Sequence, residues 1–91
     1  MSPDQLYHHL KELSEKLGIN ILEQSFKQVR LSVKSGFCRV KGKDLFIMDR
    51  NLPVAKKNSM LVKFLSTQPH EKIFIPPAVR ALLHRNKYKF T

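Results

Sequence analysis

The run GFCRVKGKDLFIM, residues 36–48, contains two β-type segments separated by a turn. In the first segment the small apolar residues Cys38 and Val40 alternate with basic ones, which is the spacing of a half-buried strand. The second segment, residues 45–48, is continuously apolar, as is typical of a strand buried on both faces. Residues 42–44 supply turn chemistry between the two segments. The run therefore predicts an antiparallel pair whose second strand is the more buried.

A third alternating segment precedes this pair. Val29, Leu31 and Val33 share one parity, and Ser35-Gly36 provides a turn after them. The alternating region extends from residue 19 to residue 50. We therefore expect a three-stranded antiparallel meander.

The N-terminal segment predicts a helix over residues 3–17. Ser2 and Gln5 fit a capping box, and Gly18 stands where a C-terminal cap is expected. The apolar residues between these signals recur every three or four positions, at Leu6, Leu10, Leu13 and Leu17. This spacing gives the helix one apolar stripe that faces a core.

Two more elements follow the meander. A second helix is expected to begin at Asn51 or Leu52 before Pro53 and to end near Ser66. The β-rich run at residues 72–75 predicts a strand added to the sheet.

Pro76-Pro77 breaks that strand and begins a final helix, and the basic tail, residues 87–91, is expected to fray. The predicted order is α-β-β-β-α-β-α in one α+β domain, residues 1–91, without a linker. The helices are expected to pack mainly on one face of the sheet.

The composition describes a small and strongly basic chain. With 91 residues and 42% hydrophobic residues, it has enough apolar surface for one core and too much for a disordered tail. A domain of this size buries only about 60–65% of the surface of its unfolded chain, so the sequence is also compatible with a homo-oligomer.

The net charge of +10 is distributed unevenly. Residues 1–25 contain two basic and four acidic residues, whereas residues 26–91 contain fifteen basic and three acidic ones. This asymmetry favours an anionic partner such as nucleic acid or an acidic protein. The competing interpretation is that the charge only keeps the protein in solution.

Cysteine usage and hydropathy indicate a cytoplasmic protein. A single cysteine, Cys38, excludes an internal disulfide and is expected to be a small buried residue rather than a nucleophile. The N-terminus has no leader pattern, and no apolar stretch approaches the roughly 18–20 residues that span a bilayer. We therefore expect no membrane partner.

The candidate binding surface is the basic parity of the meander. Residues 27–43 contain six basic residues and no acidic one, and Phe37 shares the parity of several of them. Cationic strands with an aromatic residue are typical of surfaces that track a phosphate backbone and stack a base. A solvated sheet face is the competing interpretation. A pairing of Arg39 with Asp44 or Asp49 would remove this patch of free positive charges.

Cations of the C-terminal region extend this candidate surface, because phosphate contacts position a nucleic acid without reading its sequence. No motif for sequence-specific readout is present. The predicted nucleic-acid-binding residues are Lys27, Arg30, Lys34, Phe37, Arg39, Lys41, Lys43, Arg80, Arg85, Lys87 and Lys89.

The sequence offers no metal site, cofactor site or catalytic residue. The four histidines lack the helical spacing that presents two ligands to one ion. The three glycines are each explained by a turn or a cap rather than by a phosphate loop. A small hydrolase or transferase would need a deep pocket lined by Asp49, Arg50, His70 or Glu71.

Three segments resemble short uncharacterised bacterial proteins. They are residues 36–43, 47–50 and 73–80, and the resemblance covers about two-thirds of the chain. It implies a bacterial cytosolic protein and no particular activity. The residues that carry it are Cys38, Arg39, Gly42, Asp49, Arg50, Pro77 and Arg80.

The sequence therefore favours a non-enzymatic module that binds nucleic acid, DNA and RNA fitting equally well. Four phosphate contacts would give a slope of roughly −3 to −4 in log affinity against log salt. The alternative is an adaptor or subunit that docks an acidic protein partner.

Overall fold

The computed structural model describes residues 1–25, 36–70 and 72–89, with side chains described as far as residue 85. These residues form an α+β fold of three helices and a three-stranded mixed sheet. The helices are α1 (Pro3–Lys16), α2 (Val54–Leu65) and α3 (Pro77–Lys89), and the strands are β1 (Ile19–Gln24), β2 (Gly36–Val40) and β3 (Lys43–Asp49).

Helix α1 begins and ends through the signals in its sequence. The Ser2 hydroxyl accepts from the Gln5 amide at 3.1 Å, and the Ser2 amide donates to the Gln5 side chain at 2.9 Å. Gly18, just beyond the C-terminal cap, has φ +79°, a conformation that favours glycine. The predicted capping box is therefore confirmed.

The sheet order is β1-β3-β2, with β1 parallel and β2 antiparallel to β3. The predicted antiparallel pairing of residues 37–41 with residues 45–48 is confirmed. The expectation of a wholly antiparallel sheet was wrong, because β1 is parallel to β3, and the meander's first strand, at residues 29–33, lies outside the described residues. Strand β3 takes the centre because its continuous apolar run suits a strand with a neighbour on each side. The alternation of Ile19 and Ile21 identifies a strand but carries no information about its direction.

Strands β2 and β3 are joined by a two-residue hairpin turn. Lys41 and Gly42 have φ of 52° and 79°, which is the backbone of a type I′ turn. Val40 pairs with Lys43 directly across it. The turn therefore lies one residue earlier than the predicted Gly42-Lys43-Asp44, since Lys43 already belongs to β3.

The strand predicted at residues 72–75 is absent: these residues form a turn and irregular chain, so the described residues contain three strands and not four. The Arg80 guanidinium donates to the Ile73 carbonyl at 2.8 Å and to the His70 carbonyl at 3.4 Å. The Arg80 side chain thus takes the place of a neighbouring strand as the hydrogen-bond donor to these backbone carbonyls. Ile75 is buried while Phe74 is 79% exposed, so one residue of the run anchors the loop in the core.

The buried residues form a core between the helices and one side of the sheet. Ile19, Phe46 and Met48 share that side by register and are buried. Leu10 and Leu13 of the predicted stripe of α1 are in this core, and the other two helices contribute Leu61, Leu65, Val79 and Leu83. Each fully buried side chain of this size contributes about 1.5–3 kcal/mol of transfer free energy.

The orientation predicted for β2 was wrong. Phe37 pairs with Phe46, and Arg39 pairs with Asp44, so Phe37 and Arg39 lie on the helix-facing side of the sheet. Cys38 is half-buried and Val40 is exposed on the opposite side. Both parities of this short strand carry apolar residues, so alternation alone does not decide which side faces the core.

Candidate nucleic-acid interface

Phe37 presents a fixed aromatic ring at the edge of the described sheet. Its ring stacks on Phe64 of α2, with centroids 5.3 Å apart and planes 25° apart, and Phe64 in turn contacts the buried Phe46 at 4.6 Å. Phe37 nevertheless remains 48% exposed. The core therefore holds one part of the ring while another part is accessible, which is the arrangement of a stacking platform.

Arg39 lies two residues along the same side of β2 and is bound to a carboxylate. Its Nε donates to Asp44 Oδ1 at 2.7 Å, and this hydrogen bond raises the pKa of the guanidinium above its ordinary value. The pairing of Arg39 with Asp44 weakens the predicted cationic patch, because the carboxylate offsets the positive charge of Arg39. The Arg39 side chain is still 68% exposed, so its guanidinium is accessible from solvent.

Two further lysines lie at the tip of the hairpin. Lys41 is in the turn, and Lys43 is the first residue of β3; both are exposed. Lys41 is a turn residue, and Lys43 pairs with Val40 on the opposite side of the sheet, so neither lysine continues the face of Phe37 and Arg39. We call Phe37, Arg39, Lys41 and Lys43 the β2 edge.

The other predicted residues of the basic meander are not described. Lys27, Arg30 and Lys34 lie outside the described residues, and the side chains of Lys87 and Lys89 are likewise outside them. The expectation that these cations are contiguous with the β2 edge stays a prediction.

The remaining two predicted residues are on α3 and have different environments. Arg80 is half-buried and bonds backbone carbonyls of the preceding loop. Arg85 is exposed and lines a groove with residues of α1 and α2, to which no described strand residue contributes. The structure therefore does not bring Arg85 together with the β2 edge.

Asp49 and His70, two of the residues considered for catalysis, have separate structural roles, and Glu71 lies outside the described residues. Asp49 Oδ1 accepts from the Asn51 amide at 3.0 Å, which organises the turn after β3. His70 is buried, and its backbone carbonyl accepts from the Arg80 guanidinium. Neither Asp49 nor His70 lines the groove. Within residues 1–25, 36–70 and 72–85, no three His, Cys, Asp or Glu side chains are grouped as metal ligands.

One polar cluster was missed by the sequence analysis. The Tyr7 hydroxyl donates to Glu23 Oε1, and Lys57 Nζ lies 3.0 Å from the same oxygen. Burial and the bond to Glu23 raise the Tyr7 pKa. Burial also raises the Glu23 pKa, but the bonds from Tyr7 and Lys57 outweigh it and the net pKa is lowered. The sequence signal for this cluster was Glu23, a charged residue that shares the alternation of Ile19 and Ile21 and therefore their side of β1.

Comparison of the chain with protein-family models, curated proteins and solved structures finds no match. The resemblance to short bacterial proteins therefore stays a prediction. In the part of the chain that the structure describes, no helix combines the length and the apolar character that crossing a bilayer requires.

Proposed function

We propose that this protein is a non-enzymatic module that binds single-stranded nucleic acid through the β2 edge, without sequence-specific readout. The observation that carries the proposal is the Phe37 ring, which is stacked on Phe64 and still 48% exposed beside Arg39. A ring fixed in this way loses little conformational entropy when a base stacks on it.

The charge of the whole chain supports an anionic partner. The sequence has 17 Lys and Arg against 7 Asp and Glu, so ten cations would remain even if every carboxylate neutralised one of them. Lys41 in the turn and Lys43 at the start of β3 are exposed cations at the hairpin end of the strand that carries Phe37, where they can contact phosphates.

Fluorescence anisotropy with a labelled single-stranded oligothymidylate tests the proposal. Each phosphate contact contributes about −0.7 to the slope of log affinity against log salt for a single strand. Replacing Lys41 and Lys43 with Gln is expected to make the slope shallower by about 1.4. The charge-matched control, Lys16→Gln with Lys56→Gln, removes two exposed lysines of α1 and α2 and is expected to leave the slope near that of wild type.

A second pair of variants tests the aromatic platform. Phe37→Leu keeps apolar contact with Phe64 but removes the stacking surface, and it is expected to weaken binding by about 1 kcal/mol. Phe74→Leu alters an even more exposed phenylalanine that belongs to none of the described strands, and it is expected to have no effect. Equal losses in the two variants, or no binding to oligothymidylate or oligouridylate, would exclude the proposed function.

A further inference from the structure

The sheet has an apolar side that the described core does not cover. Leu22 of β1 and Ile47 of β3 pair with each other on the side opposite to the helices. Leu45, two residues earlier in β3, shares this side and pairs with Cys38. Leu22, Leu45 and Ile47 are half-buried, and none of them belongs to the core or to the residues that pack against it. Val40 lies on the same side and is 48% exposed. We call these five residues the outer face.

The central strand carries opposite charges at the two ends of the outer face. Alternate residues of a strand share one side, and on the outer side of β3 these residues are Lys43, Leu45, Ile47 and Asp49. Lys43 and Asp49 are six positions apart, about 20 Å along a strand, so they cannot pair with each other. Neither forms an ion pair with another described residue. Both charges are therefore available to another molecule at the outer face.

A second copy of the same chain is complementary to this order of charges. A twofold axis that lies between two stacked sheets and crosses β3 at Phe46 reverses the strand direction in the second copy. Lys43 then faces Asp49 of the second copy, and the twofold repeats this contact at the other end. The apolar middle of each strand meets the apolar middle of the other. Stacked sheets lie about 10 Å apart, a distance that a lysine and an aspartate side chain together span.

We propose that the outer face binds a second copy of this chain and forms a reversible twofold dimer with stacked sheets. Three strands about 4.8 Å apart and about 20 Å long present roughly 300 Å². This area is smaller than the roughly 800 Å² per partner of a stable interface, so the dimer exchanges with the monomer. No described residue specifies a different protein, whereas the charges on β3 are complementary to themselves.

The dimer leaves the proposed nucleic-acid surface open. Phe37 and Arg39 lie on the helix-facing side of β2, away from the outer face. Lys43 is at the rim of the interface, where side chains remain accessible to solvent. The inference is independent of the nucleic-acid function, because self-association is measured without nucleic acid.

Analytical ultracentrifugation of the full chain tests the proposal. At about 0.15 M salt, the average mass is expected to rise from that of a monomer towards that of a dimer between about 10 µM and about 1 mM protein. A monomer at every concentration overturns the proposal and means that another part of the chain or a different protein covers the outer face.

Charge variants test the pairing of Lys43 with Asp49. Lys43→Glu and Asp49→Lys each bring like charges together, and each is expected to weaken self-association about tenfold. An equimolar mixture of the two variants restores opposite charges at both ends and is expected to form a heterodimer about as stable as the wild-type dimer. Circular dichroism establishes that each variant is folded. A mixture of folded variants that stays monomeric overturns the proposal.

Lys41→Glu is the matched control for Lys43→Glu. It makes the same change of charge in the turn beside the outer face and is expected to change self-association by less than about twofold. Equal effects of the two substitutions overturn the proposal, since they would show that only net charge matters.

Cys38 reports on the outer face without any substitution. It is the only cysteine of the chain, and it is half-buried beside Leu45. Its alkylation by N-ethylmaleimide is expected to slow about threefold as the protein concentration passes through the range of dimerisation. Lys43→Glu is expected to remain fast at the same concentrations. A rate in wild type that does not depend on protein concentration overturns the proposal.

Discussion

Two ion pairs on the same side of the sheet have very different surroundings. Glu23 of β1 is held by Lys57 and by the Tyr7 hydroxyl, and the Lys57 side chain is only 12% exposed. Within the described residues, Asp44 is the only ion-pair partner of Arg39 in β2, and the Arg39 side chain is 68% exposed. The first pair lies where α1, β1 and α2 meet, whereas the second lies at the edge of the described sheet.

The difference shows which ion pair stabilises the fold and which one is accessible to a partner. A half-buried charge that loses its partner keeps the desolvation penalty, so the Glu23 cluster ties three elements together. An exposed arginine that loses its carboxylate is hydrated at once, so its bond adds little to stability. The same chemistry therefore holds the fold in one region and leaves a guanidinium accessible to a partner in the other.

The largest expected effect is the loss of stability on removing Glu23. Glu23→Ala leaves the Lys57 ammonium and the Tyr7 hydroxyl without their acceptor, and we expect the free energy of unfolding to fall by about 2 kcal/mol. Asp44→Ala is the matched substitution in β3, and its urea midpoint should stay close to that of wild type. Equal destabilisation by the two substitutions in urea unfolding would remove the distinction between the two regions.

Lowering the pH should also distinguish the Glu23 cluster by its effect on stability. The pKa of Glu23 is lower in the folded protein than its ordinary value of 4.5, so the ionised carboxylate stabilises the fold. This contribution is complete above that value and is lost as the pH falls through the pKa of the folded state. Between about pH 5 and about pH 3, the free energy of unfolding should therefore decrease more in wild type than in Glu23→Gln. Parallel curves for the two proteins would show that the cluster does not lower this pKa.

The smallest expected effect is a gain of affinity at the β2 edge. Asp44→Asn releases Arg39 from its carboxylate, and Glu23→Gln removes the same charge at the buried cluster. We expect Asp44→Asn to bind oligothymidylate about threefold more tightly than wild type, because the freed guanidinium gains a phosphate contact. Glu23→Gln should change this affinity less. An equal gain in the two variants would mean that only net charge matters.

The sequence predicted the helices better than the sheet, for physical reasons. The cap of α1 is a local interaction between Ser2 and Gln5, so its residues are sufficient to identify it. The pairing of β1 with β3 is not local, and alternation in Ile19–Gln24 is the same for a parallel and an antiparallel neighbour. The strand expected at residues 72–75 failed because the Arg80 side chain, rather than another strand, binds that backbone.

The candidate site was predicted in part. Phe37 and Arg39 were assigned to one face from their spacing, and the structure places them together. Which side of the sheet they share was not predictable, because it depends on Phe64 of a distant helix. The groove was not predicted at all, since it is built from three helices that are far apart in sequence.

The most direct test of this account is a titration of the ¹⁵N-labelled full chain with unlabelled single-stranded oligothymidylate, followed by amide chemical shifts. We predict that the shifts change along Gly36–Val40 and at Lys43, while the amides of Tyr7, Glu23 and Lys57 stay in place. Changes confined to α1 and α2, with β2 unaffected at saturation, would contradict the assignment of the β2 edge as the binding surface.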